Sequence, residues 1–218
     1  MEYGRFKGEL IPYNTGIHLL KDTEHRFLAC NNNFIKASGF NRLEDVIGRR
    51  DDEMPWAELS ELYIRHEKDI LNGQSYRVFE LFKNADGDQV FMLTHKEVVR
   101  NKLSEIIGTY TSSQKVDENS LQLEFIRRLH DKFGFNSISI GRQVGDFTDS
   151  ELTTLFLVFC GYNNRDVANL LDVSVDAVKK RINRLNKRTG CSRRSELVEY
   201  VLSHGMADNM PLEVFYRF

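Results

Sequence analysis

The chain carries a run of cations in residues 178–188, and the chemistry of such a run is attraction of a polyanion. Six of these eleven residues are Lys or Arg, and none is acidic. Surface helices usually mix charges of both signs, because Glu and Lys one turn apart stabilise each other. The unbalanced charge therefore indicates either a solvated face or a surface that binds phosphate groups. The six cations are Lys179, Lys180, Arg181, Arg184, Lys187 and Arg188.

The element that must position these cations is predicted to be a helix with one apolar side. At about 100° per residue, four apolar residues fall in one stripe, and basic residues point the opposite way. Ser174 can cap the first turn, and Gly190 marks the end. Asp176 suits the positive end of the helix dipole, or it could accept from cytosine N4. The apolar stripe consists of Val175, Val178, Ile182 and Leu185.

Two further helices are predicted before the basic one. Thr148 and Glu151 have the spacing of a capping box, an apolar run follows them, and Gly161 marks its end. A short helix is predicted over residues 164–171, and two or three residues separate it from Ser174. Two short helices joined by so tight a turn, with the second basic on its outer side, are typical of a helix-turn-helix. The second helix of that motif lies in the DNA major groove.

Charge is distributed unevenly along the chain. The 218 residues have a formal net charge of −2 and are 41% hydrophobic, which is typical of a globular protein with one large or two small domains. Residues 163–194 contain nine Lys or Arg and three acids, whereas the rest contains 21 cations and 29 acids. A basic module is thus joined to an acidic one. Such an asymmetry is typical of proteins that bind a polyanion.

The segments FTDSE and GYNNRDVANLLDVSVDAVKKRINRLNKRTGCSRRSELV closely resemble the LuxR-type (GerE) DNA-binding domain with its four helices. The resemblance covers residues 147–204 in register without a gap. Ser150 stands where the family usually has arginine, and Arg181 where it usually has histidine, so the target sequence stays open. The matching positions are Glu151, Gly161, Asn164, Ala168, Ser174, Val178, Lys179, Gly190 and Arg193.

This resemblance implies DNA contacts for ten residues. Lys179, Lys180 and Asn183 would approach base edges, with Arg184 and Lys187 near them. The chemistry agrees, because a lysine can donate to guanine O6 and N7 and an asparagine can pair with adenine. Phosphate contacts, which position the protein on DNA, are expected from Asn164, Arg165, Ser174, Arg193 and Arg194.

Residues 14–113 have a different pattern, that of strands followed by tight turns. SYRVFELFK and QVFMLTHKEVV are rich in β-branched and aromatic residues, and NADGD between them has Asp-Gly at its centre. EIIGTYTSS supplies a third strand. Such an antiparallel meander needs one face covered, and helical stretches at 33–38, 43–47 and 56–71 are available for this.

The same region resembles a PAS domain. Asn31 and Phe34 in FLACNNNFIKASGF have the family's N-x-x-F spacing, and VIGRR, LNGQ, DGDQVFMLTHK and IIGTYT follow in order, with Gly48 and Gly108 at matching positions. The resemblance implies a sensor of a small molecule, a cofactor or a partner that commonly dimerises.

Several side chains of this domain are candidates for ligand contacts. His66 lies on the helix that carries the axial ligand in haem-binding relatives, yet in an ordinary amphipathic helix it would be a polar surface residue. The cysteine motif of flavin-binding photosensory relatives is absent, so the sequence favours neither haem nor flavin and the cofactor is unknown. Asp51, Asp52 and Glu53 are predicted to form a solvated loop. Aromatic residues at strand spacing are more often part of a core, but they could also line a pocket. The candidates are Phe34, Trp56, Phe79, Phe82 and Phe91.

The predicted fold is an α+β PAS-like domain, with an antiparallel sheet and flanking helices, followed by an all-α four-helix LuxR-type helix-turn-helix domain. The predicted divisions are 1–113 for the sensor, 114–146 for a helical linker, 147–205 for the DNA-binding domain and 206–218 for a tail. The linker contains an amphipathic helix in residues 117–134, which could pair with a second copy or pack on its own sensor. The tail is not assigned to either module.

We therefore expect a cytoplasmic, sequence-specific DNA-binding transcriptional regulator whose sensor domain controls dimer geometry and operator binding. The expected partners are double-stranded DNA, a second copy of the chain and a small-molecule ligand, with no membrane. No metal-ligand spacing, nucleophile–base pair or phosphate-binding glycine loop supports an enzyme. The alternative is a PAS-based haem or flavin sensor or scaffold whose C-terminal helices mainly bind a protein partner.

Overall fold

The computed structural model describes residues 7–217. The chain divides into two compact units between Leu123 and Glu124. Residues 1–6 of the predicted sensor domain and residue 218 of the predicted tail lie outside the described residues. The finer domain limits, after residues 113, 146 and 205, remain predictions.

The sheet of the first unit is antiparallel throughout its described strands. Across the sheet the strands follow the order β2-β1-β5-β4-β3. In the predicted hairpin, Leu81 lies opposite Phe91 and Phe82 opposite Val90, and the turn contains Gly87 at a φ of 88°. The Asp-Gly hairpin is thus confirmed. The strands are β1 Ile17–Lys21, β2 Phe27–Cys30, β3 Arg77–Lys83, β4 Gln89–Arg100 and β5 Ile106–Lys115.

Helical segments cover one face of this sheet, as predicted. They are α1 Asn32–Ala37, α2 Ser60–Leu71 and 3-10 turns at Leu43–Asp45, Asp51–Glu53 and Ala57–Leu59. The side chain of Asn31 caps α1 by accepting from the Phe34 N–H over 3.1 Å. The core between these segments and the sheet includes Leu19, Trp56 and Met92.

The predicted linker contains a helix and a short strand. Helix α3 Leu121–Phe133 crosses the division between the units, and β6 Ser137–Ile140 follows it. The Phe133 ring stacks on Phe159 of the second unit with 4.5 Å between ring centroids. The end of α3 therefore belongs to the core of the second unit.

The four predicted helices of the DNA-binding region follow one another in the second unit in the predicted order. They are α4 Asp149–Cys160, α5 Asn164–Leu171, α6 Val175–Thr189 and α7 Arg194–Ser203. The Thr148–Glu151 capping box opens α4, and Gly161 ends it in the left-handed conformation. Because α4 is buried from Glu151 through Phe159, it forms the centre against which α6 and α7 pack through Leu185 and Leu197.

The C-terminal segment, which the sequence did not place, belongs to the second unit. Strand β7 Asn209–Met210 pairs in parallel with β6, and helix α8 Leu212–Phe215 follows. The Arg217 guanidinium donates to the backbone oxygen of Leu170 over 2.7 Å. The fold class is therefore the predicted one, and the tail adds a small clasp to the helical domain.

Candidate functional site

Helix α6 is fixed at both ends and along its apolar side. The Ser174 hydroxyl accepts from the Ala177 N–H over 3.1 Å, and Gly190 ends the helix in the left-handed conformation. Val178 and Leu185 are fully buried, as the apolar stripe predicted. With this side packed against the core, the orientation of the opposite, basic side is set.

The outer side of α6 presents the five residues that were predicted for base edges. All five are exposed: Lys179, Lys180, Asn183, Arg184 and Lys187. Lys179 Nζ lies 3.3 Å from Asp176 in a surface ion pair. Within residues 7–217, Lys180, Arg184 and Lys187 form no ion pair, so their charges are available to a ligand.

Arg188 differs from the other cations of the run, because it holds α6 to the start of α4. Its guanidinium donates to Glu151 over 2.7 Å and to the Asp146 backbone oxygen over 2.8 Å, and it lies over the Phe147 ring. Hydrogen bonds from Thr148, together with Arg188, lower the pKa of Glu151. Arg188 is therefore part of the scaffold rather than of the outer face.

The residues that were predicted to contact phosphate fall into two groups. Arg165 and Arg193 are exposed. Arg194 is half-buried and donates to Asn164 Oδ1 over 3.0 Å and to the Tyr162 backbone oxygen, while Ser174 caps α6. Asn164, Arg165 and Arg194 line one depression near the start of α6. The structure thus brings three of the five predicted residues together, and gives Asn164, Ser174 and Arg194 internal partners.

The first unit contains a small cavity of about 40 Å³ between the helical layer and the sheet. Phe34, Trp56 and Phe82 line it. The Phe34 and Trp56 rings form a T-shaped pair with 5.4 Å between ring centroids, and the Trp56 and Phe82 rings are tilted with 5.0 Å between centroids. Three of the five aromatic residues that were predicted for a pocket therefore share one cavity.

The other two predicted pocket residues, Phe79 and Phe91, do not line this cavity. Successive side chains of a strand point to opposite faces of the sheet. Glu80 and Phe82 of β3 and Met92 of β4 face the cavity, so Phe79 and Phe91, each one position away from a lining residue, lie on the opposite face. The prediction was wrong for these two residues because it ignored this alternation.

Buried charges form the polar part of the cavity. Lys21 Nζ donates to Asp51 Oδ2 and, over 2.6 Å, to Glu67 Oε1. Trp56 Nε1 donates to the other oxygen of Asp51 over 3.0 Å. Lys96 Nζ lies 3.7 Å from Glu67 Oε1 and 5.4 Å from the centre of the Tyr63 ring. Lys21 is thus bound by two carboxylates, whereas Lys96 has one carboxylate contact, to the same Glu67.

Electrostatics at Glu67 and Glu80 differ, although both carboxyls are buried. Burial alone would raise the pKa of Glu67, but Lys21, His25 and Lys96 outweigh it and lower that pKa to about 2. At Glu80, burial raises the pKa against the opposing effects of Lys96 and of the hydrogen bond from Thr94. Glu67 is therefore held as a carboxylate, and Glu80 is shifted toward its neutral form.

Several members of this buried set were not predicted from the sequence. Asp51 was assigned to a solvated loop, but its side chain is buried because Lys21 and Trp56 bind it. His66 was expected on the surface in an ordinary helix, but it is buried with its Nδ1 3.9 Å from Glu80 Oε2. Lys21 ends the mainly apolar strand pattern IHLLK, which was the available signal, because a buried lysine in a strand that faces a core needs a partner.

Two kinds of site are absent from the part of the chain that the structure describes. Within residues 7–217, no group of three or more His, Cys, Asp or Glu side chains is arranged to hold a metal ion. In the same residues, no helix is long and apolar enough to cross a bilayer.

Comparison with known proteins supports the division into a sheet domain and a helical domain. No family model matches the chain. One similar solved structure is that of the Vibrio cholerae VqmA dimer, which was reported to give insight into the DNA-binding mechanisms of LuxR-type receptors. Its sequence is 23% identical, and the match covers 93% of this chain and 88% of that chain with a TM-score of 0.50. The chain therefore shares the fold of that structure.

Two curated relatives match shorter parts of the chain. The response regulator Rre1 of Synechocystis sp. is 41% identical over 63 residues, which are 29% of this chain and 27% of that protein. The probable transcriptional regulator ycf29 of Porphyra purpurea is 25% identical over 131 residues, which are 56% of this chain and 63% of that protein. The matches thus span less than two thirds of either relative, and both relatives are named as regulators rather than enzymes.

Proposed function

We propose that this protein is a sequence-specific, DNA-binding transcriptional regulator that acts in the cytoplasm as a homodimer. The observation that carries the proposal is the exposed outer side of α6, where Lys180, Arg184 and Lys187 form no ion pair with any side chain of residues 7–217. A helix that is capped, packed on one side and basic on the other, and that follows a short helix by a tight turn, suits the DNA major groove.

The ten predicted contacts take different roles in this proposal. Lys179, Lys180, Asn183, Arg184 and Lys187 face base edges, and the exposed Arg165 and Arg193 bind phosphates. Asn164 and Arg194 bind one another and flank the start of α6, so we assign to them the placement of the loop before α5 together with a phosphate contact. Ser174 caps α6, where the first-turn N–H groups can also face a phosphate.

The sensor part of the proposal depends on the cavity of the first unit. We infer that residues 1–113 bind a small molecule there and that residues 114–146 connect this domain to residues 147–205. Ligand binding shifts the dimer between two arrangements, and it can do so only by its differential affinity for them. Two recognition helices reach half-sites about one DNA turn apart in one arrangement and not in the other.

The experiment that tests DNA binding is selection of bound duplexes from a random pool by the full chain, followed by fluorescence anisotropy with the enriched sequence. We expect enrichment of a two-fold symmetric site, and we expect affinity to fall steeply with added salt because counterions are released from DNA. Failure to enrich any sequence, or affinity that does not change with salt, would contradict the proposal.

A further inference from the structure

The charges that line the cavity of the first unit balance each other. Two lining side chains are ammonium groups, Lys21 and Lys96, and two are carboxylates bound to them, Asp51 and Glu67. All four are at most 4% exposed. A charged ligand would therefore add an uncompensated charge inside the protein, which is far more costly than adding a neutral group of the same shape.

The fifth ionisable lining group is the carboxyl of Glu80, which is buried and has one oxygen without a hydrogen-bond partner within residues 7–217. Its Oε1 accepts from the Thr94 hydroxyl over 2.6 Å, and Thr94 in turn contacts the Ser113 hydroxyl over 2.8 Å. Its Oε2 has no hydrogen-bond partner within residues 7–217, and the imidazole of His66 is 3.9 Å away. Burial raises the pKa of this carboxyl, and its protonated form adds no charge and offers a donor.

Unused hydrogen-bonding groups are also present at the cavity. The hydroxyls of Tyr63 and Thr111 are buried, and neither has a hydrogen-bond partner within the described residues. Lys96 Nζ has one carboxylate contact, at 3.7 Å, which is longer than a hydrogen bond. Hydroxyl and ammonium groups donate, so a ligand there is expected to accept.

The remaining walls are apolar, and the space is small. Apart from Ser113, the other residues that line the cavity are Ile17, Leu19, Phe34, Trp56, Phe82 and Met92. A volume of about 40 Å³ holds on the order of three to four non-hydrogen atoms, if one water requires about 10–15 Å³ on the same measure.

From this arrangement we propose that the sensor cavity binds a small uncharged carbonyl compound, such as a simple amide, and excludes the corresponding carboxylates and amines. Its carbonyl oxygen accepts from the Lys96 ammonium and from the Thr111 hydroxyl, while its alkyl part contacts the apolar wall. This inference rests on the proposed sensor function, to which it adds the chemical class of the ligand.

The test compares three probes of nearly equal size on the full chain by ligand-observed NMR titration: acetamide, acetate and ethylammonium. We expect acetamide to bind about ten-fold or more tightly than either ion, since an unpaired buried charge costs more than one factor of ten in affinity. Equal or tighter binding of acetate or of ethylammonium would overturn the proposal, and so would the absence of acetamide binding.

Substitutions that keep the side-chain volume show whether acetamide binds at the cavity. Thr111→Val removes a lining hydroxyl and is expected to weaken acetamide binding about five-fold, from the loss of one hydrogen bond. Thr109→Val is the matched control, because Thr109 is on the same strand, is equally buried and also lacks a hydroxyl partner, but does not line the cavity. Equal binding by both variants, each folded by circular dichroism, would contradict the assignment.

A charge substitution provides an independent check. Lys96→Met leaves the lining with one net negative charge, so we expect ethylammonium to replace acetamide as the preferred probe. An unchanged order of affinities would contradict the charge-balance argument. DNA binding by the same preparations separates the two proposals: loss of the acetamide preference with intact DNA binding refutes only the ligand class, and acetamide binding without DNA binding refutes only the regulator.

Discussion

Lys21 Nζ and Glu67 Oε1 lie 2.6 Å apart inside the first unit, with 2% and 1% of their side chains exposed. They come from β1 and α2, so this ion pair ties the sheet to the helix that covers it. Lys21 also binds Asp51, and Glu67 also binds His25 over 2.7 Å. These four residues belong to four different segments of the chain, and the pair is at the centre of their network.

The first prediction concerns acid denaturation. The pKa of Glu67 is about 2 in the folded protein, below its value of about 4.3 in an unfolded chain. A lowered pKa contributes stability above the unfolded value, and that contribution is lost as the pH falls from about 4.3 toward 2. We expect the urea midpoint to fall steeply in this window, and Glu67→Gln to flatten the fall.

Glu67→Gln should also destabilise the protein at pH 7, by about 3–5 kcal/mol, because it removes the carboxylate contact of the buried Lys96 and one of the two carboxylates that bind Lys21. The control is Glu61→Gln, which changes an exposed residue of the same helix. If the two variants had the same midpoint at pH 7 and the same pH dependence, the role of Glu67 would be refuted. Urea unfolding followed by tryptophan fluorescence is suitable, because the single tryptophan, Trp56, contacts Asp51 of the network.

The helical domain could be predicted from sequence because its signals are local. The cap at Ser174, the capping box at Thr148, the stop glycines and the apolar stripe of α6 lie within a few residues of the elements that they define. The buried network could not be predicted, because Lys21 and Glu67 are 46 residues apart. Pairing over such a distance depends on how the sheet and helix meet, which no local pattern encodes.

Only some of the residues that line the cavity could be predicted, for a related reason. Phe82 and Phe91 are both aromatic residues in strands of the same hairpin, and composition does not distinguish them. Only the pairing register, with Phe82 opposite Val90 and Leu81 opposite Phe91, assigns Phe91 to the face away from the cavity.

The second prediction concerns Gly108, which lies at a φ of 153° where β5 meets β1. A Cβ at this position would be 1.8 Å from the backbone oxygen of Lys21, so the strands would have to separate beside the buried network. We expect Gly108→Ala to destabilise the protein by about 3 kcal/mol or more, through overpacking and backbone strain together. Thermal unfolding of Gly108→Ala and of the unsubstituted protein would measure this loss of stability.

The control for Gly108→Ala is Gly73→Ala. Gly73 also has a positive φ, of 91°, but a Cβ there would meet nothing within 4 Å. We expect this variant to lose about 1–2 kcal/mol, from backbone strain alone. Equal losses at the two positions would mean that the contact with Lys21 relaxes without cost.

The third prediction concerns the C-terminal clasp. Arg217 donates to the backbone oxygens of Leu170 over 2.7 Å and of Leu171 over 3.5 Å, at the end of α5. A cation at a helix C-terminus binds carbonyl groups that otherwise have no partner in the helix. Arg217→Ala is therefore expected to cost about 1 kcal/mol of stability, with a lower Tm in calorimetry. Arg127→Ala, at an exposed position of α3, is the control, and an equal Tm for both variants would refute the clasp.

The last prediction separates the outer face of α6 from its scaffold. Lys180 is exposed and has no ion pair within residues 7–217, so Lys180→Ala is expected to weaken DNA binding by about 1–3 kcal/mol and leave Tm unchanged.

Arg188→Ala removes the hydrogen bonds to Glu151 and to the Asp146 backbone oxygen, so it is expected to lower Tm, with a smaller effect on DNA affinity. Anisotropy with the selected duplex and calorimetry on the same samples would distinguish them, with exposed Lys102→Ala of the first unit as the charge-matched control. If folded Lys180→Ala bound DNA as the control does, Lys180 would not belong to the interface, and the orientation assigned to α6 in the groove would be wrong.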